Sequence, residues 1–163
     1  SGSDRAGSEM TGSEMTGSEM TGSEMTGSDT GSDVTRVVQP MGWPRPRGYS
    51  NGMARRGELL AVAGQIGWDV SETIVSDDIV AQFEQALTNV AAVVSAAGGV
   101  PAHIISLTIY MTNKEEYGAN VKAIGAAYRR VLGKHFPAMA LLEVSGLVEP
   151  GARVEIQALA VLG

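Results

Sequence analysis

The chain has 163 residues, no cysteine and a formal net charge of −6. All of that charge belongs to residues 1–34, where one arginine faces seven acids; residues 35–163 hold eleven basic and eleven acidic side chains and are neutral. A neutral domain gives no electrostatic case for nucleic acid, whose binding rests on phosphate neutralisation, and the missing cysteine excludes disulfides, thiolate nucleophiles and thiolate metal sites.

Residues 1–34 contain Gly-Ser-Glu-Met-Thr four times without error from Gly7 to Thr26, then two altered copies. Such a tract cannot bury enough apolar surface to offset its ordering entropy, so a disordered acidic tail is expected. Its rival reading is a docking segment that orders on an unknown partner, with the repeat methionines as anchors. Residues 35–163 make one domain, large enough for a single core. No stretch reaches the about 18 apolar residues of a spanning helix. The first residues show no basic and apolar leader pattern. No membrane association and a cytoplasmic setting are the expectation.

Thr35 to Val38 alternates polar and apolar and predicts a first short strand. Gln39 to Gly52 holds three prolines and predicts an irregular loop closed by the Asn51-Gly52 turn. Leu59 to Ala63 is an unbroken apolar run ending at Gly64, which predicts a strand buried on both faces. A glycine at a strand end marks a bulge or a close approach to the backbone, which places Gln65 and Trp68 at the mouth of an opening. Ile74-Val75 is read as extending this strand into a hairpin.

Ser76, Asp77 or Asp78 can cap the helix that follows. From Ile79, apolar residues at Val80, Phe83, Ala86, Leu87, Val90, Ala91 and Val94 define one buried stripe, and Gly98-Gly99 stops it. A strand over Ile104 to Met111 is expected to turn Ile105, Leu107, Ile109 and Met111 to one side. Asn113 with Glu116 predicts the cap of a second helix, striped by Tyr117, Val121, Ile124, Tyr128 and Val131 and ended by Gly133. Ala138 to Val144 and Val154 to Leu162 are the last strands. The order β-β-β-α-β-α-β-β predicts an α+β domain with both helices on one sheet face. The bare opposite face predicts an oligomer.

Glu143, Glu155 and Gln157 are polar residues inside apolar strands. A carboxylate there is either on a wet face or held in a cleft for a purpose. His103 and His135 lack acids at ligand spacing, so no metal site is expected. The serines have no His-Asp companions. Gly64-Gln65-Ile66-Gly67 lacks the Lys-Ser/Thr and the helix of a phosphate loop.

Gly48-Tyr49-Ser50-Asn51-Gly52, Val62-Ala63-Gly64-Gln65-Ile66, Gln82 to Asn89, Phe136-Pro137-Ala138 and Val154-Glu155-Ile156 together resemble the RidA/YjgF/YER-type family of reactive-intermediate deaminases. The resemblance spans residues 35–163. It implies a chorismate-mutase-like fold, with a mixed sheet and a homotrimer whose sheets form a central barrel with clefts at the subunit interfaces. It also implies hydrolysis of a small-molecule imine or enamine without a cofactor. By this likeness Glu155 matches the water-activating glutamate, Tyr49 an aromatic cleft wall, and Gly64 and Gln65 the strand end lining the pocket. The family carries arginine after Phe-Pro-Ala, as a bidentate clamp on the substrate carboxylate; here that residue is Met139. Leu141 stands where a cysteine is frequent, and Lys122 where the second helix has an asparagine. A pocket of Met139, Leu141 and Trp68 predicts an Arg-less branch with an altered, less charged substrate. The alternatives are a non-catalytic metabolite-binding or protein-stabilising member, and a ribonuclease, which the neutral domain disfavours.

Overall fold

The computed structural model describes residues 34–163. The predicted repeat tail and its docking partner therefore concern residues outside the described ones, apart from Val34. The chain runs through β1 (Arg36–Val38), β2 (Gly52–Ala54), β3 (Glu58–Ile66), α1 (Ile79–Ala96), β4 (Ile104–Met111), α2 (Lys114–Ala119), α3 (Val121–Leu132), β5 (Ala138–Glu143) and β6 (Val154–Leu162). β1 and β2 pair as a small antiparallel ribbon. The other four strands form a mixed sheet ordered β3-β6-β4-β5, in which only β4 and β5 are parallel. The fold is α+β, as the pattern of elements predicts.

Alternation does the sorting. In β6, Val154, Ile156, Ala158 and Ala160 are buried and meet Leu107, Ile109 and Met111 of β4 in the same core. α1 lays Phe83, Ala86, Leu87, Val90 and Val94 on this face, each at 0–1% exposure. Burying side chains of this size contributes about 1.5–3 kcal/mol each for the large ones. α3 packs beside α1 through Ile124, Ala127, Tyr128 and Leu132. Asp78 is the residue that caps α1, its Oδ2 accepting from Ala81 N at 2.8 Å. Asn113 Oδ1 accepts from Glu116 N at 2.9 Å, the predicted cap of the next helix.

Several expectations need correction. Ile74 makes only an isolated bridge to Trp68, so no third strand forms there. The additional strand is β2, whose Gly52 sits against Val38, where an added Cβ would lie 3.3 Å from the Val38 Cβ. The second helix is two helices, α2 and α3, interrupted at Asn120, with Val121 55% exposed rather than on the buried stripe. In β4 the register shifts between Ile104 and Ser106, so Ile104 enters the core in place of Ile105. β3 is not covered on both faces: Leu59 is 64% exposed and Ala61 and Ala63 are open, while Val62 is buried.

That uncovered face continues across the sheet. Register pairs Ala61 with Leu159, Leu159 with Ser106, Thr108 with Gln157 and Ala140, and Tyr110 with Glu155 and Leu142. Among the described residues no helix is long and apolar enough to cross a membrane.

Candidate active site

Glu155 lies on this uncovered face, near the start of β6, opposite Tyr110 on one side and Ile66 on the other. Beside it, β3 bulges: Val62 pairs with Ala158 and Gln65 with Ile156, so three steps on β3 match two on β6. A bulge sharpens the local twist and re-aims what it carries. Here it seats Gly64 against the glutamate. An added Cβ at Gly64 would fall 1.9 Å from Glu155 Oε1, and its three nearest neighbours are all Glu155 side-chain atoms. The carboxylate is half-buried and has no hydrogen-bond or ion partner among the described residues. An unpartnered carboxylate beside a glycine opening has its oxygens available to accept a hydrogen bond from a bound water or substrate.

Glu143 has the plainer role. It is exposed, accepts from the Lys114 backbone N at 3.0 Å and faces the Lys114 ammonium at 3.6 Å, and so it anchors the start of α2. Gln65 lies across from Ile156, its Nε2 donating to Ala63 O at 3.2 Å. Trp68 follows β3 and bridges Ile74, with its carbonyl accepting from Asn89 Nδ2 at 2.9 Å. Asn89 also donates to Ile66 O at 3.1 Å, so the mouth of β3 is pinned to α1. Gly67 permits the close approach, since an added Cβ there would lie 2.6 Å from Gln82 Cα. Gln82 is fully buried and completes the clamp, with Nε2 donating to Ser76 O and Gly151 O and Oε1 accepting from Arg153 N.

Tyr49 and Met139 meet elsewhere. Ser50 bridges Ala138, and its Oγ donates to Phe136 O at 2.6 Å. This holds Tyr49 beside the start of β5, where it and Met139 line a cleft of about 380 Å³. Met139 and Leu141 are in register with Leu107 and Ile109, and therefore lie on the helix side of the sheet. Met139 also walls a small apolar hollow of about 150 Å³ with Phe83, Tyr117 and Tyr128. Burial pushes both phenols, Tyr117 and Tyr128, above their ordinary range, so neither ionises near neutrality. Leu141 is 46% exposed at the sheet edge.

The predicted residues thus form two groups within one chain. Gly64, Gln65 and Glu155 gather at the β3–β6 bulge, with Trp68 just past the end of β3; Tyr49, Met139 and Leu141 gather at β5. Met139 registers three residues from the Tyr110 level of Glu155, and β4 stands between their strands. That is about 10 Å along and about 9.5 Å across the sheet, and on the opposite face. One chain does not bring them together.

Sequence reasoning passed over a third place. The loop after β1 and the α3–β5 connection enclose a cavity of about 660 Å³ lined by Trp43, Arg45, Tyr49, Lys134, His135 and Phe136, among others. The only signal in the sequence was the aromatic and basic content of a proline-rich loop. His103 Nδ1 accepts from Val100 N at 3.3 Å, and His135 Nε2 donates to Ile104 O at 2.7 Å.

Solved structures share this mixed α+β fold. A conserved Rid-family protein from Yersinia pestis superposes with a TM-score of 0.70 at 31% identity, over 78% of this chain and 98% of that one. The family model described as Endoribonuclease L-PSP matches residues 44–162. A RutC family protein from Pasteurella multocida is 31% identical over 132 residues, 78% of this chain and 98% of the relative. A 2-iminobutanoate/2-iminopropanoate deaminase from Capra hircus is 28% identical over 131 residues, 80% of this chain and 92% of the relative. The chain belongs to this family, the RidA/YjgF group also described as Endoribonuclease L-PSP.

Proposed function

We propose that the protein hydrolyses a small imine or enamine, with Glu155 as the residue that activates water. The observation carrying this reading is the partnerless, half-buried Glu155 carboxylate packed against Gly64. Water adds to the C=N carbon as Glu155 takes its proton; the same proton then goes to the nitrogen, and the carbinolamine collapses to ammonia and a ketone or keto acid. Atoms balance without a cofactor. The names of the relatives as imine deaminases support the class of reaction.

The finer parts of the reading concern assembly and substrate. Leu59, Leu142 and Leu159 are 64%, 41% and 41% exposed on one sheet face, an apolar surface of the kind that associates. A homotrimer packing these faces into a barrel would cover it. A subunit interface is also the means by which Glu155 of one copy can approach the Tyr49 and Met139 cleft of another, because within one chain they lie apart. Gln65, Trp68 and Leu141 then complete its wall. Methionine in place of arginine at 139 removes a charge-assisted clamp whose loss costs about 2–5 kcal/mol. The substrate therefore carries its carboxylate elsewhere, or carries none. A cytoplasmic setting belongs to the same reading.

Met139 also favours a second reading, a metabolite-binding member without turnover. Ammonia and keto-acid release from 2-iminopropanoate, generated in place, distinguishes them when wild type is compared with Met139→Arg and Glu155→Gln. Activity in wild type or in Met139→Arg that vanishes in the corresponding Glu155→Gln protein supports the hydrolase. Turnover unchanged by Glu155→Gln removes the catalytic assignment. Inactivity throughout puts the binding role first.

A further inference from the structure

The cavity between the β1–β2 loop and the α3–β5 connection adjoins the cleft above, sharing the Tyr49 and Ser50 wall, but Trp43, Arg45 and Lys134 line the cavity and not that cleft. We propose that the cavity is a binding site for an aromatic carboxylate. Its volume, about 660 Å³, lies in the about 300–1,000 Å³ range of sites that take ring-containing ligands. Three rings line it, Trp43, Tyr49 and Phe136. Trp43 is 62% and Tyr49 41% exposed, apolar surface turned to an opening rather than into the core.

The walls are built. Gln39 Nε2 donates to Trp43 O at 3.1 Å and Pro44 O at 3.3 Å, and Asn51 Nδ2 fixes Gln39 by donating to its Oε1 at 2.8 Å. On the other side Phe136 stacks on Tyr128 with centroids 5.5 Å apart, and Tyr128 OH donates to His135 O at 2.7 Å. The loop carrying Trp43 is thus held by side-chain bonds to its own carbonyls, and the facing wall by the core.

Charge selects the ligand. Arg45 and Lys134 line the cavity, and no acidic residue does. Elsewhere Lys114, Arg130 and Arg153 each face a carboxylate. Arg45 and Lys134 have no such partner among the described residues, nor a side-chain hydrogen bond. Two uncompensated cations beside three rings suit an anion on a planar apolar body, with the guanidinium reading the carboxylate and the rings stacking the body.

Titration calorimetry of the full chain with phenylacetate, against phenylacetamide and acetate as uncharged and ringless counterparts, tests this. Phenylacetate is expected to bind at least about tenfold tighter than either, the effect of one modest charge-assisted contact or one stacked ring. The exposed pair Arg45→Gln with Lys134→Gln should bring phenylacetate and phenylacetamide within about twofold of each other, and Trp43→Ala should weaken phenylacetate and phenylacetamide alike while leaving acetate unchanged. Circular dichroism confirms that these surface variants fold. No binding of phenylacetate, equal binding of the amide, or a charge preference that survives the double variant each overturns the proposal. Since no turnover is read, the hydrolase reading can fail without touching this one, and the reverse.

Discussion

Replacing Gly64 by alanine probes the relation of bulge and carboxylate with the smallest available perturbation. The new methyl would stand 1.9 Å from Glu155 Oε1, 2.8 Å from its Cδ and 2.9 Å from its Cγ. Backbone is not among these neighbours, so the strand pair can stay and the glutamate must leave. Restoring ordinary contact moves the carboxylate by about 1.5 Å, which takes its side chain off the present rotamer at about 0.5–1.5 kcal/mol. In a domain of this size that lowers Tm by only about 4 °C. A reacting group displaced by about 1 Å can lose about 100-fold in rate. The expected signature is therefore lopsided: near-native stability by scanning calorimetry, with kcat on whichever imine wild type turns over cut about 100-fold. Two results would refute the reasoning. Turnover within about twofold of wild type would mean that the placement of Glu155 does not limit the reaction. A Tm loss beyond about 10 °C would mean that the glutamate cannot yield and the bulge itself has broken.

Gly67→Ala is the contrasting case, since its methyl would meet Gln82 Cα at 2.6 Å, in the helix backbone; urea unfolding should show a loss of about 2–3 kcal/mol, and a loss under about 0.5 kcal/mol would show that α1 can shift. Gln82→Leu strips hydrogen bonds from two backbone carbonyls and one N–H at a fully buried position; about 2–4 kcal/mol is expected by the same assay, and an unchanged midpoint would mean that water replaces the amide. Arg130 binds Glu84 through two bonds of 2.8 Å and holds its carboxyl below the usual range. A depressed carboxylate contributes stability above its unfolded pKa and loses it as pH falls through the folded one. Glu84→Gln should thus lower Tm slightly at pH 7 and not at about pH 3, and a deficit that persists in acid contradicts the ion pair as its cause.

The sequence disclosed the elements that patterning controls. β6 was visible from strict alternation, α1 from its stripe and polar start, and the α2 cap from the Asn113 and Glu116 spacing. What failed was decided by partners distant in the chain. β2 is three residues with a glycine, and it exists because β1 lies beside it. Asn120 carries no breaker signal, yet two helices meet there. Leu59 looked doubly buried because apolar composition reports a preference for burial, not whether one chain can supply it. Site residues followed the same division. Gly64 and Glu155 were each legible as pocket residues through their motifs, while their contact across the strand pair depends on the β3 bulge. The separation of Met139 from Glu155 depends on register and face, which no local pattern encodes, and the Trp43 cavity depends on loop hydrogen bonds.

The place of β6 between β3 and β4 has a consequence for biosynthesis. Until Val154 to Leu162 have left the ribosome, β3 and β4 are two unpaired edges, exposing amides and carbonyls that β6 alone satisfies in the finished sheet. The nascent chain can form α1 and the parallel β4–β5 pair, but its sheet lacks a middle. Non-local closure of this kind is slow compared with helix formation, and open edges invite pairing with the wrong chain. A ribosome stalled before Val154 would therefore present a species prone to aggregate, and the interval before those nine residues emerge is when this protein most needs a chaperone.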